Sequence, residues 1–267
     1  MRTAAPDRLL VDVGNTRVKW ARLVRDRLGR QSALVHSGRL SRTTLAPLLA
    51  SLRPGMPVLM VSVAAPAVTR QLLALLKGAG AGPVHQLRSE TRRQSLRNAY
   101  RDPRRLGADR WAAMLGAVSE FGLGQPLLVV SAGTAVTIDL IAAGGRHLGG
   151  MIVPGANLML ISLLGETAGI ARSAGTSKPA ALADRVRQTR HSAAPFARDT
   201  ADGLQNGVAM ALVGLVERSQ REATHLCKGP PLLVVTGGGA RLLVRYLRIA
   251  HELDERLVLR GLAAAAS

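Results

Sequence analysis

An eight-residue pattern occurs twice in this chain. Leu9-Leu10-Val11-Asp12-Val13-Gly14-Asn15-Thr16 is echoed by Leu128-Val129-Val130-Ser131-Ala132-Gly133-Thr134-Ala135 at a constant offset of 119 residues. Each copy is an apolar run that ends in a glycine turn. An alternating segment follows, Arg17-Val18-Lys19-Trp20 in one copy and Val136-Thr137-Ile138-Asp139 in the other. Alternation on both sides of a turn reads as a β-hairpin. A hairpin-led unit repeated at domain spacing points to a duplicated α/β architecture, with lobes over residues 1–124 and 125–267 and a cleft between them.

The other elements fit two such units. In the first half we expect a strand over 33–38, a helix over 41–52, a strand over Val58–Ser62, a helix over 66–77 and a strand over 83–87. Residues 91–106 are polar and rich in arginine, and read as a loop. A helix starts at Ala108, with Trp111, Leu115 and Val118 on one face. The second half predicts a strand over 147–153, a helix over 202–226, a strand over Leu232–Thr236 and a helix after Gly239. Residues 171–199 lack periodicity and read as a mobile excursion. The segment 148–165 carries no charge, but Gly149, Gly150, Pro154, Gly155 and Asn157 interrupt it. Two shorter buried elements are therefore expected there, not a membrane span.

The net charge of +19 invites a polyanion as partner. The distribution argues otherwise: the 36 basic residues are mostly arginine and scattered, with local concentrations at 22–30, 88–110 and 185–198. No basic block or zinc-finger spacing is present. Aromatic residues make up only 2% of the chain, too few for platforms that stack bases. A nucleic-acid partner is not expected. Cys227 is the only cysteine, so no intrachain disulfide can form, and the histidines lack metal-ligand spacing. Asp12 arrives too early for a secretory apolar segment, which agrees with a cytoplasmic protein without a membrane anchor.

The turns carry the chemistry. Successive backbone N–H groups in a tight turn form a concavity suited to phosphate oxygens. Gly14 removes steric obstruction, Asn15 and Thr16 add polar groups, and Asp12 can orient Mg²⁺ or its waters. The turn Ser131-Ala132-Gly133-Thr134 repeats this arrangement, and Thr236-Gly237-Gly238-Gly239 supplies a third glycine cluster. Neither a GxGxxG fingerprint nor a GxxxxGK[ST] loop occurs. Phosphoryl transfer also needs a carboxylate to take the acceptor's proton, and Asp109, at a helix start beside Arg110, is the candidate. Taken singly, each motif admits a plainer role: a hairpin with an incidental aspartate, or a helix-capping residue.

Taken together, Asp12 to Thr16, Gly107-Ala108-Asp109-Arg110, Ser131 to Thr134 and Gly149 to Gly155 resemble, in order and interval, the type III pantothenate kinase family, which includes proteins described as Bvg accessory factors. The resemblance runs from about Leu9 to Leu262. It implies an actin-like, acetate-and-sugar-kinase fold of two ribonuclease H-like lobes, ATP-dependent phosphorylation of pantothenate to 4′-phosphopantothenate at the entry to coenzyme A synthesis, and a homodimer. Carried over by position, it implies nucleotide contacts at Asp12, Val13, Gly14, Asn15, Thr16, Arg17, Val18, Lys19 and Thr134. It implies pantothenate contacts at Tyr100, Gly107, Ala108, Asp109, Arg110 and Thr200, with Asp109 as catalytic base and Arg110 placed to pair with the pantothenate carboxylate. The family's monovalent cation, K⁺ or NH₄⁺, sits on an aspartate where this chain has Ser131, so that dependence is expected to be weak here. A regulatory role on the same fold is the alternative reading.

Overall fold

The computed structural model describes residues 6–174 and 196–266. Its first sheet is built on β1 (Arg8–Val13), which pairs antiparallel with β2 (Arg17–Val24) so that Asp12 lies opposite Lys19. The short strands β3 (Arg27–Leu28) and β4 (Ser32–Val35) extend the β2 side. On its other side β1 runs parallel to β5 (Val58–Ser62), which pairs with β6 (Val84–Gln86). Leu9, Leu10, Val11 and Val13 are all fully buried, because a central strand with both faces covered reads as a continuous apolar run.

β7 (Arg92–Arg93) and β8 (Leu96–Arg97) form a small hairpin of their own. The second sheet has the order β11-β10-β9-β12-β13, with β9 at Leu127–Ala132, β10 at Ala135–Ile141, β11 at His147–Pro154, β12 at Leu232–Thr236 and β13 at Glu252–Leu253. Both large sheets thus place a glycine-turn hairpin at the centre, a third strand beyond it, and later strands on the opposite side. The duplication expected from the repeat is present in the strand order.

Helices α1 (Ala46–Leu49), α2 (Pro66–Gly78) and α3 (Ala108–Phe121) follow the first-half strands. Helix α1 is shorter than expected. Ser41 Oγ accepts from the Thr44 backbone N–H at 3.0 Å, a local turn that competes with helix at 41–45. Helix α3 is buried from Arg110 to Ala117 and not along one face only. Its second face is covered by the last helix of the chain, Leu257–Ala266. The two helices cross so closely that a Cβ on Gly116 would lie 2.1 Å from the Leu257 carbonyl oxygen, and one on Gly261 would lie 1.8 Å from that of Ala112.

In the second half, α4 (Ala156–Glu166) and α5 (Ala168–Ser173) follow β11. Then come α6 (Thr200–Cys227), α7 (Ala240–Tyr246) and the terminal helix, α8. The uncharged segment does form two elements, β11 and α4, but they are not buried as expected. Leu160 and Leu164 enter the core, whereas Met151, Ile152, Leu158, Ile161 and Leu163 are exposed. A helix that is apolar all round has more apolar surface than one packed face can cover. The expected excursion at 171–199 falls mainly on residues 175–195, which lie outside the described residues; 168–173 are helical.

By internal contacts the chain forms two compact units. One holds the described residues up to Leu127 together with Asp139–Gly149 and Arg256 onward; the other holds Leu128–Ile138 and the described part of Gly150–Glu255. The tip of the β10–β11 hairpin therefore belongs with the first unit. Arg97 donates its backbone N–H to the Gly145 carbonyl at 2.9 Å. Gly145 has φ +91°, and a Cβ there would meet the Ser95 carbonyl oxygen at 2.3 Å. This contact ties the hairpin tip to β8.

Candidate active site

In the first unit, the β1–β2 turn closes with the Gly14 N–H donating to the Arg17 carbonyl at 2.9 Å, leaving Asn15 and Thr16 exposed at its tip. The buried His36, which lies just beyond β4, holds this turn from behind. Its backbone N–H donates to the Thr16 carbonyl at 2.9 Å, and its Nε2–H donates to the Gly14 carbonyl at 3.0 Å. Its Nδ1 accepts the Gly38 N–H at 3.2 Å, which selects the neutral Nε2–H tautomer. No spacing pattern in the sequence links His36 to the turn.

Asp12 sits at the end of β1. Its pKa rises from 3.8 to about 6, chiefly through burial; the nearby Lys19 charge lowers it and the Asp109 carboxylate raises it further. Asp12 and Asp109 thus share one electrostatic neighbourhood, although they are far apart in sequence.

Asp109 lies in the first turn of α3, where its Oδ1 accepts the Arg110 backbone N–H at 2.8 Å. Burial raises its pKa above 3.8 despite this bond and the Arg110 charge, and Asp139 adds to the rise. Gly107 precedes the helix. A Cβ at that position would lie 2.8 Å from Asp109 Oδ1, so the glycine leaves the carboxylate its place.

Arg110 is the best-held side chain of the site, only 4% exposed. Its Nε donates to Asp139 Oδ2 at 2.9 Å and its Nη2 to Asp139 Oδ1 at 2.6 Å. Its Nη1 donates to the Tyr100 hydroxyl at 2.8 Å, and its guanidinium carbon lies 5.6 Å from the centre of that ring. Burial works against its charge, but the hydrogen bonds and charge of Asp139 outweigh it, with help from Tyr100, and the pKa is raised. His147 Nε2–H donates to Asp139 Oδ1 at 3.0 Å, and the His147 ring stacks with Tyr100 at 6.2 Å between centroids.

Tyr100 belongs to the segment read as a loop. That segment contains the β7–β8 hairpin and a short 3₁₀ turn at Pro103–Arg105, anchored by the buried Leu96 and Leu106. Asn98 braces it, with Oδ1 accepting the Tyr100 N–H at 3.0 Å and Nδ2 donating to the carbonyls of Glu90 and Pro103 at 3.2 Å each. No motif in the sequence marks Asp139 or His147 as a site residue. Asp139 does carry a local signal: an aspartate between Ile138 and Leu140 in a strand must be buried with a partner or leave the sheet.

The remaining expected positions lie in the second unit. The Ser131–Thr134 turn closes with the Gly133 N–H donating to the Ala135 carbonyl at 2.9 Å, one residue sooner than its counterpart at Gly14. Backbone packs against it on two sides. The Gly155 N–H donates to the Thr134 carbonyl at 2.8 Å and the Gly239 N–H to the Ala132 carbonyl at 2.9 Å. A Cβ on Gly155 or Gly237 would stand 2.3 Å from a carbonyl oxygen of this turn. The third glycine cluster thus has a packing role.

Thr200 opens α6, where the Asp199 side chain caps the helix by accepting the Asp202 N–H at 2.9 Å. It lines an apolar cavity of about 900 Å³ with Leu158, Leu163, Ile170, Leu204 and Val208. Among the described residues no cluster of three or more His, Cys, Asp or Glu side chains is arranged to hold a metal ion. Nor is any described helix long and apolar enough to cross a membrane.

Comparison with known proteins gives a consistent result. The family model for type III pantothenate kinase matches residues 8–222. A type III pantothenate kinase of Paraburkholderia phymatum is 36% identical over 272 aligned residues, covering 97% of this chain and 94% of that protein. One of Methylibium petroleiphilum is 35% identical, covering 97% and 98%. Among solved structures, a Campylobacter jejuni protein described as a Baf family transcriptional activator superposes with a TM-score of 0.52 at 20% identity, over 95% of this chain and 94% of that one. The ADP-bound MreB5 of Spiroplasma citri gives 0.54 at 12% identity, over 97% and 95%. At such identities the solved structures speak for the fold alone, which is that of the actin-like ATPases.

Proposed function

The chain belongs to the type III pantothenate kinase family, and from that premise we propose that it uses ATP to phosphorylate the primary hydroxyl of pantothenate, giving 4′-phosphopantothenate and ADP at the first step of coenzyme A biosynthesis. The observation that carries this reading is the pairing of Asp109, a carboxylate of raised proton affinity at a helix start, with the adjacent Arg110–Asp139–Tyr100 cluster. As the acceptor oxygen bonds to the γ-phosphorus, Asp109 takes the hydroxyl proton, and the bond to the β-phosphate oxygen breaks to release ADP. Arg110, whose Nε–Nη2 edge is occupied by Asp139, turns its end edge toward the substrate carboxylate beside Tyr100. Thr200 contributes a further substrate contact.

On the nucleotide side, Asp12 to Lys19 and Thr134 line the phosphates. A half-buried Asp12 opposite Lys19 fits Mg²⁺, which takes one or two carboxylates together with phosphate oxygens and would neutralise charge on the transferred group. Ser131 presents a neutral hydroxyl where a monovalent cation would need a carboxylate, so K⁺ or NH₄⁺ has little hold there. The exposed apolar residues of β11 and α4 support a homodimer. We place the protein in the cytoplasm.

The test is ADP release with and without pantothenate, in K⁺ and again in Na⁺. Turnover that requires pantothenate and changes less than about twofold between the cations is expected from the weak ligand at Ser131. ADP release indifferent to pantothenate would overturn the assignment.

A further inference from the structure

We infer that Asp139 and His147 are positioning residues for the acceptor substrate, acting through Arg110 and Tyr100. This rests on the pantothenate kinase reading above. The four side chains form a closed circuit. Asp139 holds Arg110 through two hydrogen bonds, Arg110 donates to the Tyr100 hydroxyl, Tyr100 stacks on His147, and His147 donates back to Asp139. Each member is held by two others, so none can rotate without losing two contacts.

Exposure and bonding divide the labour. Asp139 and His147 are 2% and 1% exposed, and their polar atoms face Arg110, each other and the Ala99 N–H; Arg110 is itself 4% exposed, and of the four only Tyr100 is not buried. Arg110 and Tyr100 are the members assigned to pantothenate. A buried ion pair is seldom favoured over apolar packing for stability alone, whereas a fully satisfied polar network holds one geometry. The circuit also joins elements remote in sequence: α3 carries Arg110, β10 carries Asp139, β11 carries His147, and Tyr100 follows β8.

The hydrogen atoms on His147 follow from its partners. A carboxylate accepts, so Nε2 carries the proton toward Asp139. Nδ1 is then the acceptor, and it faces the Ala99 N–H at 3.5 Å. The ring is a spacer between the Asp139 carboxylate and the backbone that presents Tyr100. None of these contacts involves the β1–β2 turn, so disturbing them affects the acceptor and not the nucleotide.

The experiment combines steady-state kinetics of wild type, His147→Ala and His147→Gln with ¹H–¹⁵N spectra of the histidine rings in the wild-type protein. His147→Ala is expected to raise the pantothenate KM about tenfold and leave the ATP KM and kcat within about twofold, since misplaced binding groups weaken the interactions they make. His147→Gln, whose amide N–H can reach Asp139, recovers most of that loss. The His147 spectrum shows the Nε2–H tautomer. An unchanged pantothenate KM in His147→Ala, an equal rise in the ATP KM, or an Nδ1–H tautomer overturns the inference while the kinase reading stands. If His147→Ala does not fold, the glutamine variant decides: a pantothenate KM raised as much as tenfold overturns the inference, and one near wild type upholds it. Absence of pantothenate-dependent ADP release from wild type overturns both.

Discussion

Arg110 and Asp139 meet through two parallel hydrogen bonds, Nε to Oδ2 at 2.9 Å and Nη2 to Oδ1 at 2.6 Å, almost wholly shielded from water. Removing one partner strands a buried charge. Asp139→Asn is expected to lower folding stability by about 3–5 kcal/mol. Arg105→Gln, which removes the exposed pair with Asp102, 3.6 Å apart, and leaves the Asp102 cap in place, is expected to change it by less than about 1 kcal/mol. Urea unfolding of the two variants measures the contrast.

Asp109→Asn keeps the shape of the side chain but cannot accept the hydroxyl proton. Turnover is expected to fall by at least about 100-fold while nucleotide affinity stays within about twofold, because general-base catalysis contributes on that scale. Single-turnover phosphate transfer and ADP titration calorimetry separate the two effects. Full activity would remove Asp109 from the role of base.

Asp12 carries a stability cost that depends on pH. Its pKa is the ordinary 3.8 in the unfolded chain and about 6 in the folded protein, so between these values the folded state holds a proton that the unfolded state has lost. Stability therefore falls as pH rises through that window, and the full cost is present above it. Asp12→Asn is expected to stabilise the protein by about 2 kcal/mol near pH 8, allowing for partial exposure, and by nothing near pH 3.5. The same variant loses activity through weakened Mg²⁺–ATP binding. Thermal melts across pH, set beside ATP titration, check both halves.

The α3–α8 crossing leaves no room for a methyl group. A Cβ on Gly261 would stand 1.8 Å from the Ala112 carbonyl oxygen, and backbone cannot swing aside as a side chain can. Gly261→Ala is expected to cost about 1–3 kcal/mol or more by overpacking. It should also shift α3, which carries Asp109 and Arg110. Gly165→Ala, where nothing beyond its own turn of helix lies within 4 Å of the new carbon, serves as the control in the same unfolding assay.

Ile152 is 61% exposed and Ile161 43% exposed on the uncharged segment. If this face joins two copies of the chain, Ile161→Glu places a charge in the interface and shifts the protein toward monomer, by several kcal/mol of lost association. Analytical ultracentrifugation of wild type and variant reads the change. A wild type that is monomeric at micromolar concentration would remove the dimer.

Much of the fold was legible from local pattern. The apolar run of β1, the alternation of β2 and Pro66 at the start of α2 are local signals, and the structure has each element where they indicate. Elements set by competition were harder. Residues 41–45 have helical neighbours but prefer a Ser41–Thr44 turn, and α3 reads as amphipathic yet is buried on both sides because the distant helix Leu257–Ala266 packs on it.

The duplication, the two glycine turns and the positions of Asp12, Asp109 and Arg110 on their elements follow from local pattern, because each depends on spacing within one segment. What those residues touch is set by the packed fold. It brought the β10–β11 tip to the first unit, set Asp139 against Arg110, gave His147 a role beside Tyr100 and placed His36 behind the Gly14 turn. The physical reason is that a buried charge is satisfied by whatever group the fold brings near. That choice is made across elements far apart in the chain, where local propensity carries no information.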